Sequence, residues 1–197
     1  MKLLRTTLAI TVLAAAMLAG GYAVAAGYAV DPVHSSVYFR INHQDIAELY
    51  GRFDAVEGHI EFDAESPEKS VFFFTVKTES VSTGNGKRDD HLRSPDFFNA
   101  KQFPDITFKS TAVAKGDNEN EFEVTGDLTM KGVTSPITVT MRKTGEGADR
   151  RGNQKIGFGA EFDVDRTKFG MDFMTGPGKL GSVVHMMTSF EAVSGGN

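Results

Sequence analysis

The 197-residue chain contains no cysteine, no tryptophan and only 6 prolines. Without cysteine, disulfides, thiol catalysis and thiolate-ligated metal centres are all excluded. An excess of basic residues is also missing. Lys and Arg number 21 against 26 Asp and Glu, for a net charge of −5. With no basic stripe either, nucleic acid is not an expected partner. No G-x-S-x-G elbow, H-E-x-x-H or phosphate-binding P-loop occurs. No long hydrophobic run is present: Leu8 to Leu18 is too short for a spanning helix, and nothing after it is apolar enough to cross a bilayer.

The N-terminus reads instead as a secretory signal peptide. Lys2 and Arg5 precede the apolar run, and Ala23-Val24-Ala25 or Val24-Ala25-Ala26 fits a small-residue cleavage site. Cleavage is expected after Ala26, within one residue, so that residues 1–26 leave and 27–197 form the mature domain. No Cys follows the signal, which excludes a lipoprotein anchor, and a bacterial periplasm is the expected destination. The remaining 171 residues carry 19 basic and 26 acidic side chains, a net charge of −7. That length suits one domain with its own core, without disulfides.

What the chain has in abundance is phenylalanine, 16 in all, set at every-other-residue spacing. Phe122, Val124, Gly126, Leu128 and Met130 alternate with Glu121, Glu123, Thr125, Asp127 and Thr129. Ile156, Phe158, Ala160, Phe162 and Val164 alternate with small and acidic residues in the same way. A period of two marks strands with one dry face and one wet face. Strands are predicted over 28–43, 49–56, 59–62, 71–76, 106–113, 119–130, 137–142, 155–164 and 183–192, with Gly-, Asn- and Pro-containing turns between them. Eight or nine neighbouring strands with short connections predict an all-β, antiparallel, up-and-down fold in one domain. Periodicity alone leaves barrel and sandwich open, and an elongated cavity and a filled core equally so.

Two stretches break the alternation. Phe72, Phe73 and Phe74 are apolar on both faces of their strand, so a covering layer is expected outside it. Lys87 to Ser94, following the Asn85-Gly86 turn, predicts a short helix with Leu92 buried. After it, Asp96 is placed to cap a turn carrying Phe97 and Phe98, two aromatics expected to cover that outer face.

Polar chemistry is sparse. His34, His43, His59, His91 and His185 show no ligand spacing on one face, which leaves only a site assembled by folding. Asp89, Asp90, His91 and Arg93 cluster near the helix and read as capping and ion pairing around Leu92, with an acid–base group as the rival. Met171, Met174, Met186 and Met187 beside His185 read as adaptable apolar lining rather than a soft copper site.

Several stretches together carry a resemblance. They are Val30-Asp31-Pro32-Val33-His34-Ser35-Ser36-Val37, Gly51-Arg52-Phe53, and Asp90-His91-Leu92-Arg93-Ser94-Pro95-Asp96-Phe97-Phe98 leading into Phe103-Pro104-Asp105-Ile106-Thr107-Phe108-Lys109-Ser110-Thr111. Gly126-Asp127-Leu128-Thr129-Met130-Lys131-Gly132-Val133-Thr134, then Gly157-Phe158 to Asp165-Arg166 and Phe169-Gly170, complete the order. In these the chain resembles the YceI-like family of exported bacterial lipid- or polyisoprenoid-binding proteins. The resemblance implies a lipocalin-like, extended antiparallel β-barrel of about eight strands with a short helix packed on it. It also implies an isoprenoid or similar amphiphilic lipid in an apolar cavity, with no further cofactor beyond such an isoprenoid or quinone-like molecule, no catalytic set and a homodimer.

On that reading the cavity lining is expected to be Phe39, Ile41, Phe53, Phe108, Val124, Leu128, Met130, Phe158 and Met186. Arg40, Arg93, Arg166 and Lys168 are the cations placed to meet a headgroup. Two rivals stand beside this non-enzymatic carrier. One is an enzyme acting on an amphiphile through Asp90, His91 and Arg93; the other is a filled barrel that binds a partner, such as a membrane redox protein.

Overall fold

The computed structural model describes residues 26–195; the expected signal peptide lies outside them, except for Ala26. The described chain is all-β apart from one α-helix and three short 3-10 turns. Its strands are β1 (Ala26–Val30), β2 (Ser36–His43), β3 (Ala47–Phe53), β4 (Val56–Phe62), β5 (Val71–Lys77) and β6 (Val81–Ser82). After α1 (Gly86–Arg93) come β7 (Asp105–Lys115), β8 (Glu121–Met130), β9 (Val133–Ala148), β10 (Gln154–Asp165) and β11 (Leu180–Ser194).

Every pairing is antiparallel, and the register closes the sheet on itself. The upper part of β11 pairs with β2, as Met186 with Phe39, and its lower part pairs with β1, as Ala192 with Val30. β2 pairs in turn with β3, and β1 with β4. β1 with β2, and β3 with β4, are therefore two staves, each bent at a break in the ladder. The result is a closed barrel of eight staves in chain order, in which β9 and β10 pair only over their lower parts, Arg142–Ala148 with Gln154–Gly159.

The alternating residues face as their spacing requires. On β8, Phe122, Val124, Gly126, Leu128 and Met130 are buried while the intervening residues are half-buried or exposed. The interior divides into two halves along the barrel axis. In the lower half Phe62 meets Phe122 and Phe158 edge-on, each with centroids 5.0 Å apart, and Phe72 meets Phe158 edge-on at 5.1 Å. Edge-to-face packing suits the ring quadrupole and fills the barrel at that end.

Among the described residues, no helix or turn of the chain covers the outer face of the Phe72–Phe74 strand. Phe72 and Phe74 point inward and are buried, while Phe73 points outward and is 39% exposed, beside its register partner Lys109. Phe97 and Phe98 lie elsewhere, at the upper mouth. Phe98 packs edge-on against Phe53 at 5.5 Å, and Phe97 sits beside His91 and Phe173. The reason is connectivity: β6 pairs with Arg52 and Phe53 at the lower end of β3, runs antiparallel to it and so heads for the mouth, where α1 follows. The segment thus folds across the end of the barrel rather than over its side.

Candidate functional site: an apolar cavity under a polar-rimmed mouth

The upper half of the barrel is open inside, with a cavity of about 380 Å³. Every stave contributes to the wall. Phe39 and Ile41 come from β2, Phe53 from β3, Phe108 from β7, Leu128 and Met130 from β8, and Met186 from β11. Those seven expected lining residues are brought together. Val124 and Phe158, expected with them, also face inward but belong to the packed lower half. They sit below the level where the interior opens, and both are completely buried. The period-two pattern fixes which face a residue takes; it does not fix the depth at which the core stops.

Two glycines make room for the wall. Phe39 lies over its register partner Gly51, where a Cβ would strike the ring. Phe108 lies over Gly126, where a Cβ would meet the ring at 2.5 Å and the Lys109 carbonyl at 2.6 Å. Flat rings against bare backbone line the cavity without filling it.

The mouth is covered by α1 and the loop 170–179. Asn85 caps α1, its side-chain oxygen accepting from the Arg88 N–H at 3.1 Å. Arg93 ties the helix down by donating to the carbonyls of Glu79 and Val81 at 2.8 and 2.9 Å, and to Asp90 at 3.1 Å. Leu92 faces the cavity. The Asp89–Arg93 group is thus the capping and bridging cluster the sequence suggested.

On the opposite side Arg166 organises the loop. This buried guanidinium donates to the carbonyls of Gly181 at 2.8 Å, Phe173 at 3.0 Å, Leu180 at 3.3 Å and Met171. Its charge meets carbonyl dipoles rather than a carboxylate at ion-pair distance among the described residues, and burial pushes its pKa down. His91 joins the two sides, edge-on to Phe97 and Phe173 with centroids 5.1 and 4.9 Å away, its Nε2 bonded to Asp96 at 2.9 Å.

The four expected headgroup cations therefore separate. Arg166 lines the cavity. Arg40 points outward and pairs with Glu48 at 3.4 Å, because it alternates with the inward Phe39 and Ile41. Arg93 is spent on the carbonyls beneath α1. Lys168 is exposed on the 3-10 turn Arg166–Phe169, off the cavity wall.

Arg88 is the lining cation that sequence reasoning missed. Its guanidinium donates to the Thr83 hydroxyl and carbonyl, both at 2.7 Å. Its neighbour Asp89 turns away, accepting from the Thr83 N–H at 2.9 Å and hydroxyl at 2.5 Å. The missed signal was the four-residue spacing to Leu92, which puts both side chains on one helical face. His43, Arg88, His91 and Arg166 all line the cavity, and among the described residues no Asp or Glu does. In a chain with an acidic surplus, the interior surface is apolar with a positive bias at one end.

Three of the four methionines grouped with His185 take the lining role expected of them. Met171, Met174 and Met186 contribute to the apolar wall, whereas His185 bonds Asp163 at 2.7 Å with its ring toward the outside. A separate outer group, Asp31, His34 and Glu191, links β1 to β11, with His34 Nδ1 at 2.7 Å from Asp31 and the Lys155 ammonium seated on Glu191.

Comparison with known proteins agrees with this architecture. The profile of the YceI-like domain matches residues 28–192. The protein YceI of Escherichia coli O157:H7 is 38% identical over 182 residues, covering 91% of this chain and 93% of that protein. The crystal structure of the Campylobacter jejuni YCEI protein is similar with a TM-score of 0.70 at 31% identity, over 79% of this chain and 90% of that one. A polyisoprenoid binding domain from Saccharophagus degradans shares the fold with a TM-score of 0.68 at 14% identity, over 85% and 98% of the two chains.

Proposed function

This chain belongs to the YceI-like family, and from that premise we propose that it is an exported carrier that holds the tail of one amphiphilic lipid, isoprenoid or quinone-like, in the upper barrel without chemical change. The observation that carries the reading is the 380 Å³ cavity walled by Phe, Leu, Ile and Met and closed below by packed phenylalanines. At about 30 Å³ per water-sized group, it takes roughly a dozen methylenes. At ~0.8 kcal/mol each these give about 10 kcal/mol gross, against association costs of about 4–15 kcal/mol. Useful affinity then needs a tail that fills the cavity and a head that gains something at the mouth.

The polyisoprenoid-binding description of the Saccharophagus degradans domain supports the same class of ligand. The polar lining groups support carriage over turnover. Thr83 and Arg88 are bonded to each other, Arg166 to carbonyls, and the described lining holds no Ser, Asp or Glu that would pair with a histidine as nucleophile or base. Export to the periplasm rests on the N-terminal charge, the apolar run and the small-residue site. The mass of protein recovered from periplasm tests this, and its sedimentation tests the implied homodimer.

The absence of tryptophan provides the functional test. Met186→Trp places a single indole in the cavity wall and fills part of it. Titration with a fluorescent long-chain fatty probe is expected to give saturable binding to the parent protein and much weaker binding to the variant, with equal thermal stability. Equal affinity in both would overturn the cavity assignment.

A further inference from the structure

Charge and exposed apolar side chains are unevenly shared between the two ends of the barrel. The segments at the mouth, 44–46, 78–104, 131–132 and 166–179, carry eight Lys or Arg against six Asp or Glu. Four of those acids are bonded: Asp45 by the Gly178 N–H at 3.1 Å, Asp89 by Thr83, Asp90 by Arg93 and Asp96 by His91. The turns at the closed end, 63–70, 116–120 and 149–153, carry three cations against six carboxylates. The segments at the mouth thus carry a small cationic surplus and the turns at the closed end an acidic one.

The same end carries several exposed apolar residues, beside others such as Val33 and Phe73 elsewhere on the barrel. Ile46, at the tip of the β2–β3 turn, is 83% exposed, and Tyr50, Phe173 and Met174 around the opening are exposed as well. They lie on one rim. The Gln44 N–H donates to the Lys179 carbonyl at 2.6 Å, and the Leu180 N–H to the Met174 carbonyl at 3.0 Å, so the turn tip and the mouth loop are laced together. Tyr50, Phe173 and Met174 belong both to this rim and to the cavity wall. Lys87 and Lys179, exposed beside it, make no ion pair among the described residues.

We propose that this rim is a docking surface for an anionic lipid bilayer, with Ile46 entering the interfacial layer, Lys87 and Lys179 meeting acidic headgroups, and the cavity opening held against the membrane. An apolar tip within a cationic rim matches such a surface on both counts. Charge complementarity selects a bilayer with acidic headgroups over a neutral one. The proposal builds on the lipid-binding reading, since an opening pressed to the bilayer lets a tail pass without crossing water.

The test is flotation of the mature protein with vesicles of phosphatidylcholine alone and of equal parts phosphatidylcholine and phosphatidylglycerol. Binding is expected to the mixed vesicles, weakened by added salt. Lys87→Glu and Lys179→Glu are each expected to weaken it by at least about fivefold, the loss for roughly 1 kcal/mol per cation near an acidic surface. Ile46→Asp is expected to abolish it, with uptake of a fatty probe in vesicle-free buffer unchanged, because Ile46 does not line the cavity. Equal binding to both vesicle types, no binding to either, or an Ile46→Asp variant that floats like the parent would overturn the proposal. Probe uptake read separately keeps that failure distinct from a failure of the carrier reading.

Discussion

Phe74 and Phe190 lie face to face inside the barrel, their ring centroids 4.1 Å apart and their planes 15° from parallel. Both touch the cavity; Phe72 and Phe158, in the packed half beneath, do not. The stack is the floor that sets how deep a guest can reach. Phe190→Ala is expected to cost about 3–5 kcal/mol and to let the cavity run down toward the lower aromatics. Affinities for a series of alkyl chains of rising length check this, with the variant's optimum shifted to longer chains.

The glycines in the wall give a graded prediction. Gly51→Ala pushes only the Phe39 ring, a side chain free to turn into the empty cavity, so a loss of about 1–3 kcal/mol is expected. Gly126→Ala also meets the backbone carbonyl of Lys109, which has no such freedom, and is expected to cost more. Urea denaturation of the two variants measures the order.

Arg166 holds four carbonyls at once, two in the mouth loop and two at the start of β11. In Arg166→Met those carbonyls lose their donor where water reaches them poorly, and a destabilisation of at least about 3 kcal/mol is expected. Hydrogen exchange should then rise over 170–181 while β8 and its neighbours stay protected. Arg88→Met, at the exposed side of the mouth, is expected to leave stability nearly unchanged. It should weaken binding of a fatty acid more than that of the matching fatty alcohol.

Acid should unfasten the end of β10. Asp165 accepts from the Thr167 hydroxyl at 2.7 Å and N–H at 3.0 Å. The Thr167 bonds hold its carboxyl below the ordinary carboxylate range, against the opposing effect of burial. A carboxyl lowered on folding stabilises the native state above its unfolded pKa, near 3.9, and loses that contribution as pH falls through the folded value. The stability difference between the parent and Asp165→Asn is therefore expected at neutral pH and should shrink progressively as pH falls below about 4. Denaturation midpoints of both proteins across that range check it.

How much of this was legible beforehand follows from what each signal encodes. Alternation in β8 and β10 assigned faces correctly because a pleated strand has only two. Helix α1 was legible from its Asn85-Gly86 start and its charge. Depth along the axis was not, so Val124 and Phe158 were grouped with a cavity they lie beneath. Nor was the course of the Asp96–Phe98 turn, because nothing local says that the chain crosses the barrel's end. The headgroup cations failed for a related reason: exposed arginines look alike in sequence, and only the fold shows Arg40 spent on Glu48 and Arg93 on carbonyls while Arg88 faces inward.

The central claim is that the upper barrel carries an amphiphile. The most direct measurement is mass spectrometry of the organic extract from protein purified out of periplasm and then denatured. One lipid per chain is expected, with a tail that fills the cavity and a neutral or anionic head. An extract with no lipid, from protein that also takes up none when lipid is added, would contradict it.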